Sequence, residues 1–172
     1  MNPRDPRAVF VHYLQQLIVI VDKINAHTQG DNRLLAHSLH ADMLPLLAQL
    51  RTAANFSLRT CCPLSGRARI SFDNDDETYA GVQLQLQQTI AYLQSIPAQD
   101  FAAPPEYITD QAGFAPLQLA ADEYLHHYAL PNFFFHLNMA YAIARSAGVP
   151  LSKGDYDGYH QYPSGFSFVA AP

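Results

Sequence analysis

Charge is scarce in this chain. Only 15% of its 172 residues are Asp, Glu, Lys or Arg, where a typical soluble domain carries about 25%. The basic sign is the scarcer one, 10 Lys and Arg against 15 Asp and Glu, for a formal net charge of −5. That excludes the clustered cationic footprint of a nucleic-acid binder. A long apolar run is missing too. The longest aliphatic stretch, Leu17–Val21, falls far short of the ~20 residues of a membrane span. The opening residues from Met1 to Arg7 are basic, but His12, Gln15 and Gln16 interrupt the apolar stretch behind them, and no small-residue cleavage site follows. Cysteine is limited to Cys61 and Cys62. Sequence neighbours can close only a strained disulfide, so no secreted framework is encoded, and two small buried hydrophobes near a helix end is the simplest role. These absences predict a cytoplasmic globular domain with neither nucleic acid nor membrane as partner. With 49% hydrophobic residues and a length near the mode for one domain, the chain can bury a single core.

What is present is helical periodicity. Phe10, Leu14, Leu17, Val21 and Ile24 alternate spacings of four and three, the seam of a bundle helix. Pro6 suits its start and Gly30 its end. A short helix or turn over residues 32–39 is expected next. A second long helix follows to about Thr60, with Asp42 as N-cap and Pro45 in the first turn, closed by Pro63 and Gly66. Its apolar side would hold Met43, Leu47, Leu50, Ala54 and Leu58. Asn74–Glu77 reads as a helix start with acids facing the positive dipole end and Glu77 in a capping box. Tyr79, Val82, Leu86, Ile90 and Leu93 then mark the third helix. Tyr107–Thr109 and Phe114–Leu119 predict a small hairpin or irregular insertion. The fourth helix spans Ala121 to Ala147, with Pro131 forcing a kink or a new turn, and Gly148 with Pro150 stopping it. From Leu151 onward, Gly, Tyr, Ser and Pro predict a surface tail, with Tyr156, Tyr159, Tyr162, Phe166 and Phe168 as its aromatic residues. The fold expected is all-α, a four-helix bundle with a hairpin between helices three and four.

The fourth helix carries the candidate chemistry. Tyr128, Asn132 and His136 recur every four residues, so they drift by only ~40° per step and form one polar stripe, which Tyr124 extends. Bundle interiors are where this architecture builds its sites. On the second helix Asp42 and Gln49 are seven apart and share a face; Asp42 is placed to fix the His136 tautomer or to join it on a metal. A buried hydrogen-bond network that only aligns the helices is the competing reading. His126 and His127 diverge by ~100° and cannot face one ion. His37 and His40 are three apart, a legal ligand spacing. His12, His27 and His160 have nothing arranged around them in sequence.

The run Tyr128-Ala129-Leu130-Pro131-Asn132-Phe133-Phe134-Phe135-His136, with Ala140-Tyr141-Ala142-Ile143-Ala144-Arg145, Gly148-Val149-Pro150-Leu151 and Lys153-Gly154-Asp155-Tyr156, resembles an uncharacterised bacterial domain-of-unknown-function family of the DinB-like (YfiT-type) superfamily. Asp42-Met43-Leu44-Pro45-Leu46 with Gln49, and Phe72-Asp73-Asn74 with Thr78, fit the same family. The resemblance implies an up-down-down-up bundle over residues 1–158, with 159–172 as tail, and a homodimer. Better-known members of the superfamily hold a divalent metal on three histidines, one from the second helix and two from an H-x-x-x-H pair on the last. Some are thiol-dependent transferases or isomerases, others hydrolases. Here Asn132 and His136 stand where that pair would be, and His40 or Asp42 is the second-helix ligand the resemblance implies, for an ion such as Zn or Ni. Two functions follow as expectations. One is an enzyme, or its relic, with a cleft for a small molecule lined by Asp42, Gln49 and Tyr128, where His136 is general base and Asn132 an orienting donor, with or without the metal. The other is a non-catalytic homodimeric binding or scaffold module.

Overall fold

Pro6 lacks the N–H that a helix leaves unused at its start, and its carbonyl accepts from Val9 and Phe10. From there helix α1 runs over Arg7–His27. The seam residues Phe10, Leu14, Leu17, Val21 and Ile24 are all fully buried. The computed structural model describes residues 5–163, 166, 167 and 169; residues 1–4 of the basic N-terminus, Phe168 and part of the 159–172 tail lie outside them. A 3₁₀ turn over Asn32–Ala36 falls within the expected 32–39 segment.

Helix α2, Leu46–Leu64, starts four residues after the expected cap. A proline disfavours helical backbone in the residue before it, so Leu44 cannot continue a helix from Asp42, and Pro45 itself is extended (ψ 164°) at the N-cap. Met43 lies in the preceding turn, its N–H donating to the His40 carbonyl. At the other end the helix runs past Pro63, which was expected to stop it. The stop is Gly66 at φ +70°, with Arg67 N–H on the Cys62 carbonyl at 2.8 Å.

Helix α3, Tyr79–Ser95, buries the five expected apolar positions but is capped by Thr78, whose Oγ1 accepts from Gly81 N–H at 3.2 Å. The acids are not in its first turn. Asn74 and Asp76 instead accept from the N–H groups of Asp76 and Thr78, two local turns that compete with helix. Arg51 of α2 donates to the carbonyls of Asn74 and Asp76 and clamps the segment down. A Cβ on Gly81 would sit 2.0 Å from the Asp76 carbonyl oxygen. Gly81→Ala is therefore expected to cost about 2 kcal/mol in urea unfolding, and a neutral result would mean that the 74–78 segment is not held against the helix.

The insertion after α3 is regular, so the chain is mostly helical and not purely so. After a 3₁₀ turn at Ala98–Phe101, β1 (Tyr107–Ala112) and β2 (Ala115–Ala120) pair antiparallel with Tyr107 opposite Ala120. The turn needs Gly113 at φ +60°. A helical turn, α4 (Ala121–Glu123), passes through a π-helical stretch, Tyr124–Ala129, into α5, Leu130–Ser146. Pro131 explains the π stretch. A proline clashes with the carbonyl four residues back; here the preceding turn is widened, and the Leu130 N–H reaches back five residues to the Leu125 carbonyl.

Residues after Gly148 do not form the expected surface tail throughout. Val149 and Leu151 are buried, and helix α6, Lys153–Asp157, docks on α1. Tyr156 meets Tyr13 and Tyr141, and Lys23 pairs with Asp155 at 2.6 Å. The core forms where α1 packs on α3 and α2 packs on both α3 and α5; Phe10 meets the edge of Phe133 at 4.9 Å. Cys61 and Cys62 are both free and buried, and burial pushes both thiols above their ordinary range. Among the described residues no helix is long and apolar enough to cross a membrane.

Candidate functional site

Gln49, Phe56 and Arg59 follow one another at spacings of seven and three on α2, so they share one helix face. That helix packs on α5, which presents His136. The His136 Nδ1 lies 2.7 Å from the Gln49 Oε1. Gln49 Nε2 meanwhile donates to the Leu44 carbonyl at 3.3 Å, which orients the amide with its oxygen toward the imidazole. An amide oxygen only accepts, so Nδ1 carries the proton and the lone pair is on Nε2. The ring stacks on Phe56 with centroids 5.6 Å apart and meets the edge of Phe135 at 5.2 Å. Burial, and secondarily the Arg59 cation, lower its pKa to about 4. His136 is therefore neutral at pH 7, with a defined tautomer and one free lone pair.

The rest of the stripe has a different use. Asn132 Nδ2 donates to the Tyr128 carbonyl one turn back at 2.7 Å, so one of its amide protons is engaged within its own helix. The Tyr124 hydroxyl reaches Asp110 Oδ2 of β1 at 2.6 Å, with the Arg59 carbonyl also near at 3.2 Å. That carbonyl has no helical donor because the residue four positions on is Pro63. Arg59 Nη2 lies 2.8 Å from Asp110 Oδ1 and 3.3 Å from the Tyr128 hydroxyl. Burial alone would raise the Asp110 pKa, but hydrogen bonds from Arg59 and Tyr124 outweigh it and hold it below the ordinary value. Burial and the neighbouring Asp110 push the Tyr124 phenol well up. Sequence reading missed this Arg59–Asp110 centre. The shared face of Gln49, Phe56 and Arg59 was a usable signal; Asp110, 51 residues further on, gave none.

Asp42 is not on the Gln49 face, since it precedes α2. It pairs with His40 at 2.5 Å, both side chains mostly in solvent (83% and 70% exposed). Gln49 holds the His136 tautomer in its place. Among the described residues no three His, Cys, Asp or Glu side chains are grouped to hold a metal ion, so His136, His40 and Asp42 do not make a three-donor centre. His126 Nδ1 is engaged with the Asp122 carbonyl at 2.9 Å. His12 and His160 do have partners, contrary to expectation. His12 Nε2 meets the Asp157 carbonyl at 2.7 Å and its ring stacks on Tyr159. His160 meets the Asp157 carboxylate, which the backbone N–H of His160, together with that of Tyr159, helps to lower to a pKa of about 2.

Residues 7–157 match a family described as a domain of unknown function, DUF1993. The chain belongs to the DUF1993 family. The DUF1993 fold is similar to a crystal structure from Shewanella denitrificans described as a DinB family member, with a TM-score of 0.80 and 27% identity over 92% of each chain. The expected DinB-like kinship of this DUF1993 protein is thereby established. No curated protein matches the chain.

Proposed function

We propose that this protein binds a small molecule between α2 and α5, with the Nε2 lone pair of neutral His136 as its hydrogen-bond or proton acceptor. The observation carrying this reading is the 2.7 Å contact from Nδ1 to Gln49 Oε1. A base held neutral in one tautomer by a fixed partner is the arrangement general-base and ligand-orienting histidines use. Tyr128 and His136 both pack against the Phe56 ring, and Asn132, one helical turn before His136, keeps a second amide proton. Packing of α1 on α3 and of α2 on α3 and α5, with the DinB-family likeness, supports an up-down-down-up four-helix bundle.

The scaffold alternative, a homodimer whose stripe only aligns helices, is favoured by the local engagement of Asn132. A fragment screen followed on the imidazole ¹⁵N resonances separates the two. Nδ1 is expected to report as protonated, and binders are expected to move Nε2 and to lose affinity about tenfold or more in His136→Gln. Zn²⁺ or Ni²⁺ should leave the unfolding midpoint unchanged, since an ion held only by the native state would raise it. A screen in which Nε2 never moves leaves the scaffold reading standing.

A further inference from the structure

We propose that the hollow between the C-terminal part of α2 and the β1–β2 turn is a binding site for a small carboxylate, independent of His136. The hollow measures about 700 Å³ and is lined by Arg59, Arg69, Thr109, Asp110, Gln111 and Gly113. Two guanidiniums against one carboxylate leave this lining with a single positive charge, in a chain whose net charge is −5. Asp110 pairs with both guanidiniums, closely with Arg59 and at longer range with Arg69. Its Oδ1 takes Arg59 at 2.8 Å and the Gln111 N–H at 2.8 Å, while Arg69 Nη1 is left at 3.4 Å. The remaining Arg69 contact is a neutral one, Nη2 to the Thr109 carbonyl at 2.5 Å.

Arg59 is also positioned before any ligand arrives. Nη2 is held by Asp110, by the Gln111 carbonyl at 3.0 Å and by Tyr128, and the guanidinium lies over the Phe56 ring at 4.6 Å. All of these polar contacts go to Nη2, so the Nε–H and both N–H groups of Nη1 keep donor capacity beyond them. A carboxylate can give one oxygen to Arg59 Nη1 and the other to the Arg69 guanidinium across the hollow, and a side chain already ordered loses less entropy when it binds. One excess charge suits a monoanion better than a dianionic phosphate.

The test is a titration of the full chain with acetate at constant ionic strength, with chloride and inorganic phosphate as comparison anions. It is followed on the Arg Nε–H NMR signals. Arg59 and Arg69 are expected to shift saturably with acetate, and Arg69→Gln to weaken binding about tenfold while the unliganded unfolding midpoint stays near wild type. Arg59→Lys keeps the charge and removes the ordered planar guanidinium, so it should also weaken binding. Signals that do not move, shifts matched by chloride, tighter binding of phosphate, or unchanged affinity in both variants would each overturn the proposal. His136→Gln should leave acetate binding intact, so this inference and the His136 reading fail separately.

Discussion

Asp110→Ala is expected to destabilise the protein by about 3 kcal/mol in urea unfolding, with the slope unchanged. The carboxylate is nearly inaccessible, at 4% exposure. It accepts from Arg59, from the Tyr124 hydroxyl and from the Gln111 N–H. Removing one side of a buried pair costs about 3–5 kcal/mol because the other charge is left without compensation. The low end applies here, since the Arg59 and Arg69 side chains are 30% and 38% exposed and water can replace part of what they lose. Tyr124→Phe removes one hydrogen bond and no charge, so about 1 kcal/mol is expected. The two losses should not add, because both substitutions act on the same carboxylate. A loss below about 1 kcal/mol for Asp110→Ala would show that the hairpin is not tied to α2 and the π stretch by this centre.

Acidification should expose His136. The native pKa is about 4 against an ordinary 6.5, so the unfolded chain takes up the proton first. The stabilising contribution is complete above pH 6.5, falls as the pH drops from there towards 4, and is fully lost below the native pKa. At about 1.4 kcal/mol for each unit of difference, this one group accounts for about 3 kcal/mol over that window. Asp110, lowered from an ordinary 3.8, contributes its own loss only at more acid pH, so the two can be resolved. His136→Gln keeps a donor for Gln49 and does not titrate. Its stability should be lower at pH 7 but nearly flat between pH 6.5 and 4.5. A variant with the wild-type slope would place the titrating group elsewhere.

The long helices were legible because their apolar periodicity decides them: the seams of α1 and α3 are buried as the spacing requires. The polar stripe of the fourth helix assumes a straight α-helix, and the π turn over Tyr124–Ala129 sets Tyr124 and Tyr128 apart from Asn132 and His136. Helix starts were misread where one short-range preference overrode another. Asp42 is a good cap, but Pro45 constrains Leu44; Asn74–Glu77 has cap chemistry, but the same side chains close turns on themselves and leave the cap to Thr78. The site partners were legible in part. Gln49 is an expected site residue because it is seven residues along from Asp42, yet its contact with His136 is 87 residues distant and depends on how two helices pack. Arg59 and Asp110 meet only because a hairpin folds back over α2, which no local pattern encodes. The docking of α6 was hidden in the same way, since a five-residue helix has little periodicity to show.

The widened turn before Pro131 divides the last long helical segment into two parts whose angular offset is set at one place. A π turn accommodates one residue more than the α-helical repeat, and one residue corresponds to ~100° of rotation. Ahead of it lies Tyr124, which ties to the hairpin through Asp110; beyond it lies His136, which ties to Gln49. Gain or loss of a single residue between Tyr124 and Ala129 would therefore re-aim the hairpin relative to the imidazole without repacking α5 on α2. The hairpin centre and the imidazole thus meet at one widened turn, whose residue count sets the angle between Tyr124 and His136.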